Sequence, residues 1–168
     1  MPIAQTLLPE FDREMATTRT LLERVPADRA AWRPHERSTA LGDLAAHIAN
    51  LAGFAVPTVS QTEIDMSPPE GPAYTPPSFT TTEALLATFD ANVAASRAAI
   101  AGISDEDAMV PWSLKAGGHT IFSMPRAGVL RGMLMNHIIH HRGQLSVYLR
   151  LNDVPLPSIY GPTADAPM

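Results

Sequence analysis

The sequence predicts an all-α chain: a four-helix bundle with a long crossover connection between its second and third helices. Three observations predict it. Four segments repeat apolar residues at steps of three and four. Ala-rich, Gly-poor stretches favour helix along most of the chain. Runs of β-branched or alternating residues, the mark of strands, are missing. At 168 residues, 45% hydrophobic and 17% charged, the chain is expected to fold as a single domain over residues 1–168 with a real core.

The first helix carries Leu8, Phe11, Met15, Thr18, Leu22 and Val25 on one face. Pro9 belongs in its first turn, or else kinks it, and Pro26 stops it. The second spans about residues 39–55, with Leu41, Leu44, Ile48, Leu51 and Ala55 inward. Ser38 or Thr39 can cap it, and Asp43 lies near the positive end of its dipole. The third opens at Thr80-Thr81-Thr82-Glu83, a capping-box spacing. Leu86, Phe89, Val93, Ser96 and Ile100 follow, and Gly102 is a fitting stop. The fourth runs from near Pro125 to near Leu151, with Leu130, Leu134, His137, His141, Leu145 and Tyr148 in its stripe.

The connections set the topology. Residues 57–79 hold six prolines and few apolar side chains. Extended at roughly 3.3 Å per residue, such a linker can run back along a helix about 30 Å long. The third helix therefore need not be antiparallel to the second, as in bundles with a crossover. Residues 104–124 form a second long connection, in which Ser104 to Asp107 can cap a short helical turn. The segment Ala116-Gly117-Gly118 reads as a loop and not as a phosphate-binding fingerprint. Trp32 and Trp112 are expected to cover bundle ends with their N–H groups at the surface. Met133 and Met135 read as packing residues. Arg142 and Arg150 are expected at the surface, and Gly143 is expected to mark a close helix–helix approach.

Composition narrows the chemistry. There is no cysteine, so disulfides, a thiolate nucleophile and Cys-ligated zinc are excluded. The net charge is -5 and Lys and Arg are scattered, so nucleic acid is not an expected partner. No apolar run approaches the roughly 20 residues of a membrane span, so no membrane partner is expected. No signal-type start is visible, and the cytoplasm is the default expectation.

Three of the six histidines crowd into "NHIIHHRGQ". On a helix, His137 and His141 lie about 40° apart around the axis, side by side on the inner stripe. Imidazoles there must satisfy their polar nitrogens, and a shared metal would do so. His140 falls at the edge of the stripe. Gln144 stands two turns after His137, placed to orient a ligand or to wall a pocket. Two ligands underhold a metal, so a third is expected from a facing helix. His47 is the best candidate, ahead of the loop residues His35 and His119. Alone, a core histidine such as His47 is more often a packing residue than a ligand.

The stretches "LGDLAAHIANL" (41–51), "RGMLMNHIIHHRGQLSVYLRLNDVPLPSIYGPTADA" (131–166) and the Trp32-x-Pro34 pair together resemble the DinB/YfiT-like family of bacterial proteins. The resemblance spans nearly the whole chain and is most specific at His-x-x-x-His-Arg-Gly-Gln. It implies a four-helix bundle, commonly a homodimer, and a divalent metal held by His47, His137 and His141. Some relatives carry Glu for one histidine of the fourth helix; this chain does not. Characterised relatives are transferases or isomerases that use low-molecular-weight thiols.

The expected function is thus a divalent-metal-dependent thiol S-transferase acting on a small-molecule electrophile. Zn or Ni would be the cofactor, though imidazole ligands also suit Cu and Fe. His140, Gln144 and Tyr148 would orient ligands or substrate. With no cysteine in the chain, the sulfur would come from the thiol co-substrate. A hydrolase using metal-bound hydroxide is a close alternative. Another is a non-catalytic, stress-related domain in which the metal fastens two helices.

Overall fold

The computed structural model describes residues 2–167. The helical segments form, but the class is mixed rather than all-α. Helix α1 spans Ile3–Leu22, α2 Leu41–Leu51, α3 Ala55–Ser60 and α4 Thr82–Gly102. A short α5, Asp105–Ala108, precedes α6, Arg126–Val129. A π-helical stretch, Leu130–Asn136, continues α6 into α7, His137–Leu151. Between them lies a three-stranded sheet: β1 Glu63–Asp65, β2 Pro111–Ala116 and β3 His119–Pro125. Both long connections, expected to be irregular, contribute strands to it.

The sheet has a local cause. Gly117 and Gly118 both take positive φ, +61° and +79°, which is the backbone of a tight two-residue hairpin turn. The flanking residues Ala116 and His119 pair, and β2 and β3 run antiparallel from that point. Strand β1 pairs parallel with the other edge of β2. Asp65 fixes this junction. Its carboxylate accepts from the backbone N–H of Gly117 (3.0 Å), Gly118 (2.7 Å) and Ser67 (2.9 Å). Those bonds hold the carboxyl below its ordinary pKa. Trp112 does not reach the surface. It is 0% exposed, edge-to-face on Phe54 at 5.6 Å, and its Nε1 has no partner among the described residues. Trp32, half-buried, meets Tyr148 edge-to-face at 5.6 Å.

Helix α4 packs on α1 and α2, and α7 packs on the same two. Asn92 donates to the Ala49 carbonyl and Ser96 to that of Ala52, so α2 and α4 run parallel. The connection between them returns the length of α2. It is pinned on the way: Met66 N–H donates to the Lys115 carbonyl and Gly117 N–H to that of Ser67. The start of α2 has no side-chain cap. Leu41 and Gly42 instead donate their N–H groups to the carbonyls of Trp32 and Ala30. Gly42 is required there, because a Cβ would come within 2.8 Å of Phe79 and 2.9 Å of Ala30. Helix α4 is capped by Thr81, whose side chain accepts from Ala84 N–H, and α5 by Ser104. Pro9 lies inside α1, past its first turn.

Arg142 is a further correction. It is 1% exposed rather than solvated. Its guanidinium donates to Glu14 Oε2 at 2.7 Å, to the Glu14 carbonyl at 3.1 Å and to the Tyr160 hydroxyl at 2.6 Å. Tyr160 in turn donates to Glu14 at 2.7 Å. Burial alone would raise the Glu14 carboxyl; the Tyr160 and Arg142 hydrogen bonds and the Arg142 and Arg13 charges outweigh it and hold it low. The network ties α7 to α1 and to the C-terminal segment. Gly143, beside it, is exposed, and a Cβ there would meet nothing within 4 Å. No close helix approach accounts for it.

Candidate metal centre

Helices α2 and α7 bring His47, His137 and His141 together. One nitrogen from each lies within 4.8 Å of the others. The ring centroids are 5.4 Å apart for His47 and His137, 4.7 Å for His47 and His141, and 4.6 Å for His137 and His141. The π-helical stretch ends at Asn136, directly before His137. Such stretches widen a helix by part of a residue per turn and recur at functional sites.

All three rings are half-buried, and burial sets their protonation. It is the largest cause in each case, disfavouring the charged form. His47 is pushed down to about 4, first by burial and then by the positive charge that His141 and His137 would carry. His137 is lowered by burial and by His141, with partial relief from the Met133 carbonyl. His141 is lowered by burial and by His140, against a hydrogen bond with Gln144 that raises it. The cluster is therefore neutral at pH 7, with lone pairs available.

Second partners fix the rings. Gln144 Oε1 lies 2.7 Å from His141 Nδ1. With the amide oxygen accepting, Nδ1 carries the proton and Nε2 keeps its lone pair. His137 Nδ1 is buried without a well-formed hydrogen bond. Three neutral imidazoles, one oriented by an amide oxygen, are a donor set suited to a divalent ion of borderline softness.

The other expected residues sort by position. His140 is exposed on the rim, its ring 4.9 Å from that of His141. Tyr148 and Gln144 line an open cavity of about 700 Å³ that reaches His47 and His141. Arg37 and Asp43 stand in the same cavity, as do Pro76 and Pro77 of the returning connection. His35 and His119 are exposed and belong to neither cavity nor cluster. A second cavity, about 370 Å³, reaches the cluster from its other side through His47 and His137. The sequence reading missed Asn50 and Tyr74, which meet there: Asn50 Nδ2 donates to the Tyr74 hydroxyl at 2.9 Å. No local pattern marks them, since Tyr74 reaches α2 only through the path of the connection.

A family model described as the DinB superfamily matches residues 10–145. The crystal structure of a DinB-like protein from Bacillus cereus ATCC 10987 superposes with a TM-score of 0.69 at 21% identity, over 91% of this chain and 95% of that one. A DinB-like protein from Bacillus subtilis gives 0.62 at 18% identity, over 88% and 92%. At such identity the likeness speaks for the fold alone. No curated protein matches the chain.

Proposed function

The chain belongs to the DinB superfamily, and on that premise we propose that it is a divalent-metal-dependent enzyme that transfers a low-molecular-weight thiol to a small electrophile. His47, His137 and His141 would hold the ion, with zinc or nickel the fitting choices. A bound divalent ion lowers the pKa of a coordinated thiol or water and so supplies a nucleophile near neutral pH. The observation that carries the proposal is a neutral three-imidazole cluster open to cavities on two sides. A site that only fastened helices would be closed by a fourth protein ligand.

The surrounding residues have work suited to this reaction. Gln144 holds the His141 ring in one tautomer. Arg37 and Asp43 present opposite charges in the larger cavity, which suits a polar thiol carrying its own ionic groups. In the transfer, the thiol gives up its proton and its sulfur bonds to the electrophilic carbon. With an unsaturated carbonyl as acceptor, the displaced π pair becomes a C–H bond with a proton equivalent to the one released. A small-molecule substrate and a homodimeric assembly belong to the same proposal.

The test is a panel of small thiols and electrophiles assayed on zinc- and nickel-loaded protein. Turnover that needs the metal and is lost in a folded His141→Ala variant supports the reading. Metal-dependent stability without turnover across the panel would leave the non-catalytic domain as the better account.

A further inference from the structure

The two cavities at the cluster differ in chemistry, and one segment runs between them. Pro76, Pro77 and Ser78 wall the larger one, while Met66 and Tyr74 wall the smaller. The segment is held at two points. Met66 N–H donates to the Lys115 carbonyl of the central strand β2, and the Tyr74 hydroxyl accepts from Asn50 of α2. The partition is thus built into the fold.

The smaller cavity is lined mainly by apolar groups, among them Phe54, Ile64, Leu114 and Met133. Among the described residues, no Asp, Glu, Lys or Arg lines it. Its polar features stand at a few points: the imidazoles of His47 and His137, the amides of Asn50 and Asn92, and the Tyr74 hydroxyl. The amide of Asn92 is engaged with the Ala49 carbonyl. Tyr74, itself 43% exposed, accepts from Asn50, which leaves its own proton free to meet a ligand. A chamber of this kind rejects ions, because an unpaired charge is costly in apolar surroundings. It accepts an uncharged molecule with a single acceptor atom.

We propose that this chamber binds the electrophilic co-substrate, an uncharged and largely apolar small molecule whose carbonyl-type oxygen accepts a hydrogen bond from the Tyr74 hydroxyl, while the polar thiol enters from the opposite, larger cavity. The assignment rests on the reading of the histidine cluster as a two-substrate site. The chamber itself can be probed without a metal or turnover.

The probe is N-phenyl-1-naphthylamine, a dye that brightens in apolar sites. The dye is expected to bind the purified protein and to be displaced by benzylideneacetone, an uncharged unsaturated ketone. Cinnamate, of similar shape but charged, should compete roughly tenfold less well or worse. Leu114→Trp fills the chamber and should weaken dye binding roughly tenfold. If that variant does not fold, Met133→Phe narrows the same chamber from the π-helical stretch that precedes α7 and gives the same readout. Tyr74→Phe should weaken benzylideneacetone roughly fivefold more than it weakens the dye, the loss of one hydrogen bond that the dye does not need. No dye binding, equal competition by cinnamate, or dye binding unmoved in the folded filled variants would each overturn the assignment. Thiol transfer without dye binding would sink this inference alone. Dye binding without metal uptake would sink the enzyme proposal alone.

Discussion

Gln144 lies one helical turn after His141, and its amide oxygen sits 2.7 Å from the ring's Nδ1. One residue of the "HRGQ" run therefore sets the tautomer of another. Gln144→Ala is expected to weaken zinc binding about 10–100-fold, the usual cost of losing a partner that orients a metal ligand. His47→Ala, which removes a donor outright, should lose more. Competition with a chromophoric zinc chelator measures both, and circular dichroism checks that each variant is folded.

Protons should compete with folding at the same cluster. In the metal-free protein the His47 pKa falls from its ordinary 6.5 to about 4. Between those values the unfolded chain binds a proton that the folded one excludes. Stability is therefore fully present above about pH 6.5 and declines as the pH falls toward 4. The ring is half-exposed, so the discounted loss is about 1 kcal/mol, or roughly 2–4 °C in Tm for a chain of this size. Thermal melts of chelator-treated protein across this range check it, and His47→Asn should flatten the slope.

The buried pair of Glu14 and Arg142 sets a larger effect. Their side chains are 3% and 2% exposed. Arg142→Met leaves a buried carboxylate without its cation and should cost about 3–5 kcal/mol. Tyr160→Phe removes both the hydrogen bond donated to Glu14 and the one accepted from Arg142, and should cost about 1–3 kcal/mol. Urea denaturation with unchanged m-values would establish both.

Gly42→Ala should destabilise the protein by about 1–3 kcal/mol, because the new methyl has no room between Phe79 and Ala30. The strain falls at the start of the helix that carries His47. Zinc affinity should drop along with the urea midpoint, whereas Gly143→Ala, which meets nothing, should leave both unchanged or raise stability.

The helices were legible because their apolar spacing is local. Leu41, Leu44, Ile48 and Leu51 declare a face within eleven residues. The pair was legible for the same reason, since His137 and His141 interrupt an apolar stripe where imidazole needs a partner, whereas nothing local to His47 distinguishes it from a packing residue. The hairpin has a local signal too: Gly117-Gly118 between Ala116 and His119 suits a two-residue turn, although the residues around it lack the clean alternation of strands. Strand β1 was not legible. Glu63-Ile64-Asp65 is three residues long, and only its pairing with β2 makes it a strand. Arg142 was misjudged because its burial depends on Glu14 and Tyr160, which lie far from it along the chain. Polar residues at such crossings look like surface until the fold supplies their partners.

The parallel run of α2 and α4 also bears on how the molecule comes into being. It sends the chain on a long excursion, so His47 waits about ninety residues before His137 exists. Closing a loop of that length is a late step, achieved after local helices form. A metal ion that needs all three rings can therefore meet only a chain that has already assembled. Zinc should slow unfolding and leave the refolding rate unchanged. The centre would then act as a lock set after folding, and not as the seed from which folding starts.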